Sequence, residues 1–263
     1  MPAGPPAIPP LPADLAVATL VPHLAPACAR LAAELGVPCT EPGNSHYPLQ
    51  LTFTPERLEL REVAPGAPGA IFADLSAARA QHRRGRLALL RAAAAGNRKL
   101  RIIDATAGLG ADALLLAAHG HEVVLLERSP VIAALLADAL ARASGPHVQR
   151  LRLAPGDARE LLLRLAPADV VILDPMYPRS GKRARKNKAM HLFRTLVGDD
   201  ADAGELLHLA RRAACHRVVV KRPRRAPPLA GETPTGSITG RTTRFDIYPP
   251  SAGDPIPQHD RIH

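Results

Sequence analysis

The chain has 263 residues, of which 46% are hydrophobic, 22% are charged and 3% are aromatic, with no Trp. This composition excludes a wholly disordered chain and predicts a globular protein with an aliphatic core. The 34 Lys and Arg residues outnumber the 24 Asp and Glu residues, and the net charge of +10 favours a polyanionic partner, nucleic acid before an acidic membrane.

The cysteines and histidines give no sign of a disulfide framework or a metal site. Cys28, Cys39 and Cys215 are scattered without CxxC spacing, and no pair of the 11 histidines has the spacing of metal ligands. The first residues lack the basic start and apolar stretch of a secretory signal, and no apolar run is long enough to span a bilayer. We therefore expect a cytoplasmic protein that holds no metal.

The N-terminal part predicts a small α+β region. Residues 1 to about 13 are rich in Pro and Ala and are predicted to be loose, and a helix is expected over 24–35, ending at Gly36. Two alternating stretches at 49–53 and 57–61 predict a hairpin. We expect this region to cover 1–72, a larger domain to cover 73–250, and a loose tail to cover 251–263.

Strands and helices alternate from about residue 98 onwards. Ser129 and Pro130 are typical of an N-cap and a first helical position, and Gly120 is typical of a helix end. This succession predicts a doubly wound α/β fold whose parallel strands are buried on both faces. Strands are expected at 100–104, 122–127, 148–153, 168–174, 217–221 and 243–248, and helices at 111–119, 130–143, 158–165 and 206–214.

A glycine turn follows the first of these strands. Asp104 ends the strand, Gly108 and Gly110 lead into the helix, and Glu127 stands 19 residues after Gly108, at the end of the second strand. Glycines allow the backbone to approach a ligand, and an acid at this distance can bind ribose hydroxyls. The pattern predicts a cofactor that contains a nucleoside.

The choice of cofactor depends on Asp104. Residues 108–113 fit the G-x-G-x-x-A pattern of dinucleotide sites, which has modest specificity. A carboxylate beside the turn would repel a pyrophosphate, but it could hold the ammonium of S-adenosylmethionine directly or through water. S-adenosylmethionine is therefore favoured, although Asp104 could also be a solvated strand-end acid and Glu127 a surface acid paired with Arg128.

The fourth strand ends in Asp174-Pro175-Met176-Tyr177, which resembles the D-P-P-Y motif of methyltransferases that modify exocyclic amino groups. The Asp174 carboxylate and the Pro175 carbonyl can accept both N–H groups of such an amine and so localise its lone pair. Tyr177 can stack on a base that has left its helix. No strong base is required, and the alternative interpretation is an ordinary turn.

Basic residues are concentrated in three segments without acids. Residues 79–101, 179–194 and 211–225 hold eight, seven and seven of the 34 Lys and Arg residues. The middle segment follows the predicted active site directly, so we expect it to contact an RNA backbone, although a charge run can also be a solvated face. The predicted RNA contacts are Arg179, Lys182, Arg183, Arg185, Lys186, Lys188, Lys221 and Arg222.

Together these segments resemble the bacterial ribosomal RNA small subunit methyltransferase J family. The similarity covers residues 47–248 and rests on blocks that occur in family order at 104–110, 126–130, 174–178, 195–198, 218–223 and 244–248. It implies a Rossmann-like class I fold and a 16S rRNA (guanine1516-N2)-methyltransferase that uses S-adenosylmethionine in ribosome biogenesis. The cofactor contacts that it implies are Ala111, Asp112, Glu127, Arg128, Asp157, Ala158 and Asp174.

The sequence departs from this family at two of the positions. Ala111 stands where the family often has Arg, which leaves only a main-chain contact there, and Tyr177 replaces the more usual Phe. The alternatives that stay open are an adenine-N6 or other amino-methyltransferase, a nicotinamide-dependent oxidoreductase, and a non-catalytic RNA-binding protein of ribosome assembly.

Overall fold

The computed structural model describes residues 11–67, 69–76, 86–94, 98–176 and 202–251. Contacts divide the chain into two compact units that are discontinuous in sequence. The first comprises Met1–Asp74, Ser129–Arg142 and Met176–Asp199, and the second comprises Leu75–Arg128, Ala143–Pro175 and Asp200–His263. The domain boundaries expected after residues 72 and 250 stay a prediction.

The first unit contains a four-stranded sheet in the order β2-β1-β3-β4. β1 is parallel to β2 and β3, whereas β3 and β4 form an antiparallel hairpin in which Leu51 pairs with Leu60. The predicted hairpin is thus confirmed, with its second strand displaced by one residue. The strands are β1 (Leu15–Thr19), β2 (Cys39–Thr40), β3 (Leu49–Phe53) and β4 (Leu58–Glu62).

Strand β1 lies outside the predictions, because its side chains show no alternation. Leu15 to Ala18 are all fully buried, and a short strand buried on both faces cannot be recognised by periodicity. Helix α1 (Ala25–Leu35) follows a 3-10 turn, so it starts one residue later than predicted, and it ends at the left-handed Gly36 as expected. It places the buried Cys28 thiol 3.2 Å from that of Cys39 in β2; both are free, and burial raises the pKa of Cys28 to about 12.

The second unit contains a seven-stranded sheet in the order β10-β11-β9-β8-β5-β6-β7. The five strands from β9 to β7 are parallel, and β11 and β10 add an antiparallel edge. The prediction of a doubly wound parallel sheet is confirmed. The strands are β5 (Arg101–Asp104), β6 (Glu122–Glu127), β7 (Leu151–Pro155), β8 (Ala168–Leu173), β9 (Ala214–Pro223), β10 (Gly236–Thr239) and β11 (Thr243–Tyr248).

Some predicted bounds in this unit were wrong. Residues Val148–Arg150 form a 3-10 turn, so β7 starts later than the predicted 148–153. The helix expected at 206–214 starts earlier, at Ala203, and β9 extends beyond 217–221 at both ends. β10 was not predicted, because its sequence GSIT is short and mostly polar.

The helices connect these strands. Their bounds are α2 (Arg86–Ala93), α3 (Ala111–Ala118), α4 (Pro130–Arg142), α5 (Ala158–Leu165) and α6 (Ala203–Ala213). By its contacts α4 belongs to the first unit, where the buried Ser129 caps it by accepting the Ile132 N–H at 3.5 Å. Within the described residues, no helix is both long and apolar enough to cross a membrane.

The core of the second unit is aliphatic, as the composition predicts. Ile102 and Ile103 in β5 and Val170 and Val171 in β8 are fully buried. Burying such side chains on both faces stabilises the central strands by about 1.5–3 kcal/mol for each residue. The polar residues that end these strands are therefore held on a rigid support.

Candidate active site

The candidate site lies at the carboxyl ends of the central strands of the second unit. Asp104 ends β5, Glu127 ends β6 and Asp174 follows β8 directly. Since β5 lies between β6 and β8, the chain leaves β5 in one direction and later returns on its other side. Ligands of open α/β sheets bind at such a switch point, so the sheet order assembles these acids where a ligand is expected.

The glycine turn and Glu127 are in direct contact. Gly108 and Gly110 have φ angles of 53° and 74°, in the left-handed region that favours glycine. The Gly108 N–H donates to Oε2 of Glu127 at 2.9 Å, and α3 begins directly after Gly110. Glu127 is thus a buried acid at the turn, and the expected alternative of a surface acid is wrong.

Asp104 is a buried acid rather than a solvated one. Its residue is 3% exposed, and its Oδ1 accepts the Thr106 N–H at 3.3 Å. Burial raises the pKa of Asp104 to about 7, and the charges of Asp112 and Asp174 act in the same direction. The Thr106 hydrogen bond and the Lys221 charge lower this pKa but do not outweigh the burial.

Lys221 joins two of the carboxylates at the site. Its Nζ donates to Oδ2 of Asp112 and to Oδ2 of Asp174, both at 2.7 Å. Burial lowers the pKa of Lys221, but the charges and hydrogen bonds of Asp174 and Asp112 outweigh it and raise the pKa above its ordinary value. The sequence analysis predicted Lys221 as an RNA contact and missed this pairing, although a Lys at the end of a buried strand was a signal for it.

Asp174 is the more accessible of these acids, since 41% of its side chain is exposed. Its backbone N–H donates to Oγ1 of Thr106 at 2.6 Å, which ties the start of the D-P-M-Y motif to the loop after β5. Pro175 and Met176 follow, and Tyr177 lies outside the described residues. An exposed acceptor on a tethered backbone is suited to bind a polar group of a ligand.

A second polar cluster lies at the ends of β6 and β7. Asp157 caps α5 by accepting the Arg159 N–H at 2.8 Å, and the same carboxylate accepts Nη2 of Arg159 at 2.6 Å. Burial raises the pKa of Asp157, but the hydrogen bonds and charge of Arg159 outweigh it and lower the pKa. Arg128 pairs with Asp202, which also lies 3.5 Å from Nε of Arg159.

The predicted cofactor contacts are therefore divided between two clusters. Asp104, Gly108, Gly110, Asp112, Glu127 and Asp174 surround the ends of β5, β6 and β8, with Ala111 at the start of α3. Arg128, Asp157 and Ala158 lie beside β6 and β7, where Ala158 is buried at the start of α5. Sequence reasoning missed Arg159, which pairs with Asp157 two residues before it and also lies near Asp202, a residue distant in sequence.

One predicted RNA contact must be corrected. Arg222 is 4% exposed, and its Nη2 donates to the carbonyl of Pro227, so its guanidinium is buried rather than presented to a phosphate. Successive residues of a strand point to opposite faces, which separates Arg222 from Lys221. The other predicted contacts, Arg179, Lys182, Arg183, Arg185, Lys186 and Lys188, lie outside the described residues.

Comparison with known proteins places this geometry in a family. Residues 31–250 match SAM_MT, a family of SAM-dependent methyltransferases. The ribosomal RNA small subunit methyltransferase J of Thioalkalivibrio sulfidiphilus is 47% identical over 83% of this chain and 91% of its own length. The enzyme of the same name from Pseudomonas syringae pv. syringae is 42% identical over 86% and 88%.

A solved structure agrees with these relatives. A SAM-dependent methyltransferase from Neisseria gonorrhoeae superposes with a TM-score of 0.68 at 31% identity, covering 90% of this chain and 98% of its own. The fold is therefore the Rossmann-like class I fold of these enzymes. With two relatives above 40% identity over most of its length, the chain belongs to the ribosomal RNA small subunit methyltransferase J family of SAM-dependent methyltransferases.

Proposed function

We propose that this protein transfers a methyl group from S-adenosylmethionine to the exocyclic N2 amine of a guanine in 16S rRNA, the (guanine1516-N2) reaction. The observation that carries the proposal is the position of Asp174. This partly exposed carboxylate follows β8 and is tied to the loop after β5 through Thr106. The family relationship supports the same reaction class.

The charges of the site fit the cofactor. S-adenosylmethionine carries a positive sulfonium and an ammonium, and Asp104, Asp112 and Asp174 gather negative charge around Lys221. Glu127, held at the glycine turn, is suited to accept hydrogen bonds from ribose hydroxyls. The residues proposed to hold the cofactor are Asp104, Gly108, Gly110, Ala111, Asp112, Glu127, Arg128, Asp157, Ala158 and Asp174.

The protein's contribution to catalysis is to bind and orient the amine. When bound, S-adenosylmethionine supplies an electrophilic methyl group. The Asp174 carboxylate and the Pro175 carbonyl accept the two N–H groups, which localises the lone pair on nitrogen, and Tyr177 stacks on the flipped base. Orientation of the two reacting groups supplies most of the rate enhancement, so a strong base is not needed.

The basic segment at 179–194 is proposed to hold the rRNA backbone. Its Lys and Arg residues directly follow Asp174 in sequence and can neutralise phosphates near the target base. The substrate is 16S rRNA, either free or in the small ribosomal subunit, and the reaction takes place in the cytoplasm where subunits are made.

The experiment that tests this function measures label transfer. S-adenosylmethionine with a labelled methyl group is incubated with free 16S rRNA and with small subunits from cells that lack this activity, and the nucleosides are then separated. We expect label in N2-methylguanosine. Label in N6-methyladenosine would overturn the choice of base. Failure to bind S-adenosylmethionine in calorimetry would contradict enzymatic activity and favour a non-catalytic RNA-binding protein.

A further inference from the structure

We propose that Lys221 is a positioning residue of the methyl-transfer reaction. It holds the Asp174 carboxylate as an ionised acceptor for the substrate amine and connects it to Asp112 at the start of α3. This inference rests on the function proposed above and replaces the expectation that Lys221 contacts RNA phosphate.

The sheet register brings Lys221 to Asp174. β8 and β9 are parallel, and Leu173 pairs with Val220, so Asp174 and Lys221 are the next neighbours at the carboxyl edge. Val220 is fully buried, which anchors the strand directly before the lysine. The lysine therefore extends from a rigid strand, and the position of its ammonium is defined by the sheet.

The ammonium then fixes two carboxylates on different elements. Both N–O distances are 2.7 Å, within the range of charge-assisted hydrogen bonds. Asp112 lies in the first turn of α3, beside the glycine turn, and Asp174 is the first residue of the D-P-M-Y motif. One side chain thus couples the element proposed to hold the cofactor to the residue proposed to hold the amine.

The charges explain why the site needs this cation. Asp104 is close enough that Asp112 and Asp174 both raise its pKa, so three acids repel one another in a partly buried site. An ionised Asp accepts hydrogen bonds only, whereas a protonated one carries an O–H that would compete with the amine. A lysine between Asp112 and Asp174 favours the ionised acceptor.

The same pairing argues against a phosphate contact. The Lys221 side chain is 24% exposed, and its charge is already balanced by two carboxylates. A phosphate that approached it would also meet both acids. Lys221 therefore acts through Asp174 and Asp112 and does not touch the reacting atoms.

The test uses full-length protein carrying K221M, K221Q or K221R. We expect K221M and K221Q to lower kcat by about 100-fold, with a smaller loss of rRNA affinity, because the acceptor is misplaced. K221R keeps the charge and is expected to recover part of kcat. Arg164→Met, which removes an exposed cation from α5, is the matched control and should leave kcat unchanged.

A pH profile separates this role from a structural one. Loss of the cation makes the neighbouring carboxylates easier to protonate, so the acidic limb of the kcat profile should move up by about one pH unit in K221M and K221Q. K221R should retain the wild-type limb. In the cofactor-free protein, carbon-13 NMR of labelled Asp carboxyls, assigned with D174N, should show Asp174 titrating at higher pH in K221M than in wild type.

The outcomes distinguish the two proposals. If wild type makes no N2-methylguanosine, the proposed function fails, whereas the NMR titration still decides whether Lys221 controls Asp174. An unchanged kcat and acidic limb with weaker rRNA binding would make Lys221 a phosphate contact and overturn the inference. If K221M does not fold, K221Q and K221R carry the same comparison.

Discussion

The backbone N–H of Asp174 donates to the hydroxyl of Thr106 at 2.6 Å, across 68 positions of sequence. This bond connects the two loops that leave β5 and β8 and fixes the position of the Asp174 main chain directly after β8. A substitution at the Asp174 side chain leaves this backbone bond in place. The chemistry of the carboxylate can therefore be tested separately from the shape of the loop.

We predict that Asp174→Ala lowers methyl transfer by at least about 100-fold, because one of the two acceptors for the amine is lost. Cofactor binding should be largely retained, since Asp104 and Glu127 remain. Single-turnover methyl transfer and calorimetry with S-adenosylmethionine measure the two effects. Normal turnover in this variant would exclude the role given to Asp174.

A second prediction concerns the buried acid Asp104. Its pKa is raised from 3.8 to about 7, so between these values the unfolded chain is ionised while the folded protein holds a proton. Stability therefore falls as pH rises through this range and levels off above pH 7. Asp104→Asn, which keeps an acceptor for Thr106, should unfold at higher denaturant concentration than wild type at pH 8.

The stability difference between Asp104→Asn and wild type should shrink as the pH is lowered. It should vanish below about pH 4, where Asp104 is protonated in both the folded and the unfolded protein. Urea unfolding at several pH values measures it, and the exposed Asp14→Asn is the control, for which we expect no such trend. At the same time Asp104→Asn should bind S-adenosylmethionine more weakly, since an amide cannot balance the ammonium. A gain in stability that did not depend on pH would contradict the ionisation argument.

The sequence predicts those site residues that lie at the ends of strands or a short distance apart in the chain. Gly108 and Glu127 were both predicted to serve one cofactor, because Gly108 follows a parallel strand and Glu127 ends the next; in the structure they share a hydrogen bond. Lys221 and Asp112 are 109 positions apart, and their contact depends on the order β9-β8-β5, which spacing does not specify. Likewise, the adjacent basic residues Lys221 and Arg222 look equivalent in sequence. Their side chains point to opposite faces of β9, because successive residues of a strand alternate between the two faces of the sheet.

We predict that Arg159→Met lowers the free energy of unfolding by about 3 kcal/mol at neutral pH. The Arg159 side chain is 8% exposed and pairs with Asp157, so its loss leaves a largely buried carboxylate without the cation that hydrogen-bonds to it. Because the pKa of Asp157 is lowered in the folded state, this stabilisation is present above pH 3.8 and is lost as pH falls through the folded pKa. The effect of the variant should therefore shrink in acid.

The control for this prediction is Arg98→Met. Arg98 pairs with Asp169 in the same way, but its side chain is half-exposed, whereas that of Arg159 is buried. An exposed pair of this kind contributes less than about 1 kcal/mol. If both variants lost the same free energy of unfolding, the burial of Arg159 would not strengthen its ion pairs.

The basic segment gives a fourth prediction. Reversing the charges of Lys182, Arg183 and Arg185 together should weaken 16S rRNA binding and reduce the slope of log K against log salt by about 3. Filter binding at several salt concentrations measures the slope. A triple reversal of Arg150, Arg152 and Arg164, outside the three basic segments, is the control of equal charge. An equal slope in both variants would mean that 179–194 is a solvated face.

Helix α4 shows that the first compact unit is completed late during synthesis. Residues 1–74 supply its sheet, yet α4 belongs to the same unit, and Arg142 at its end donates to the carbonyl of Ala73. A ribosome adds about 5–20 residues per second, so the sheet waits roughly 3–14 s for this helix to be made. Over that interval the chain has already produced β5 and β6. The unit whose sheet is translated first therefore cannot finish folding before part of the second unit's sheet has been made.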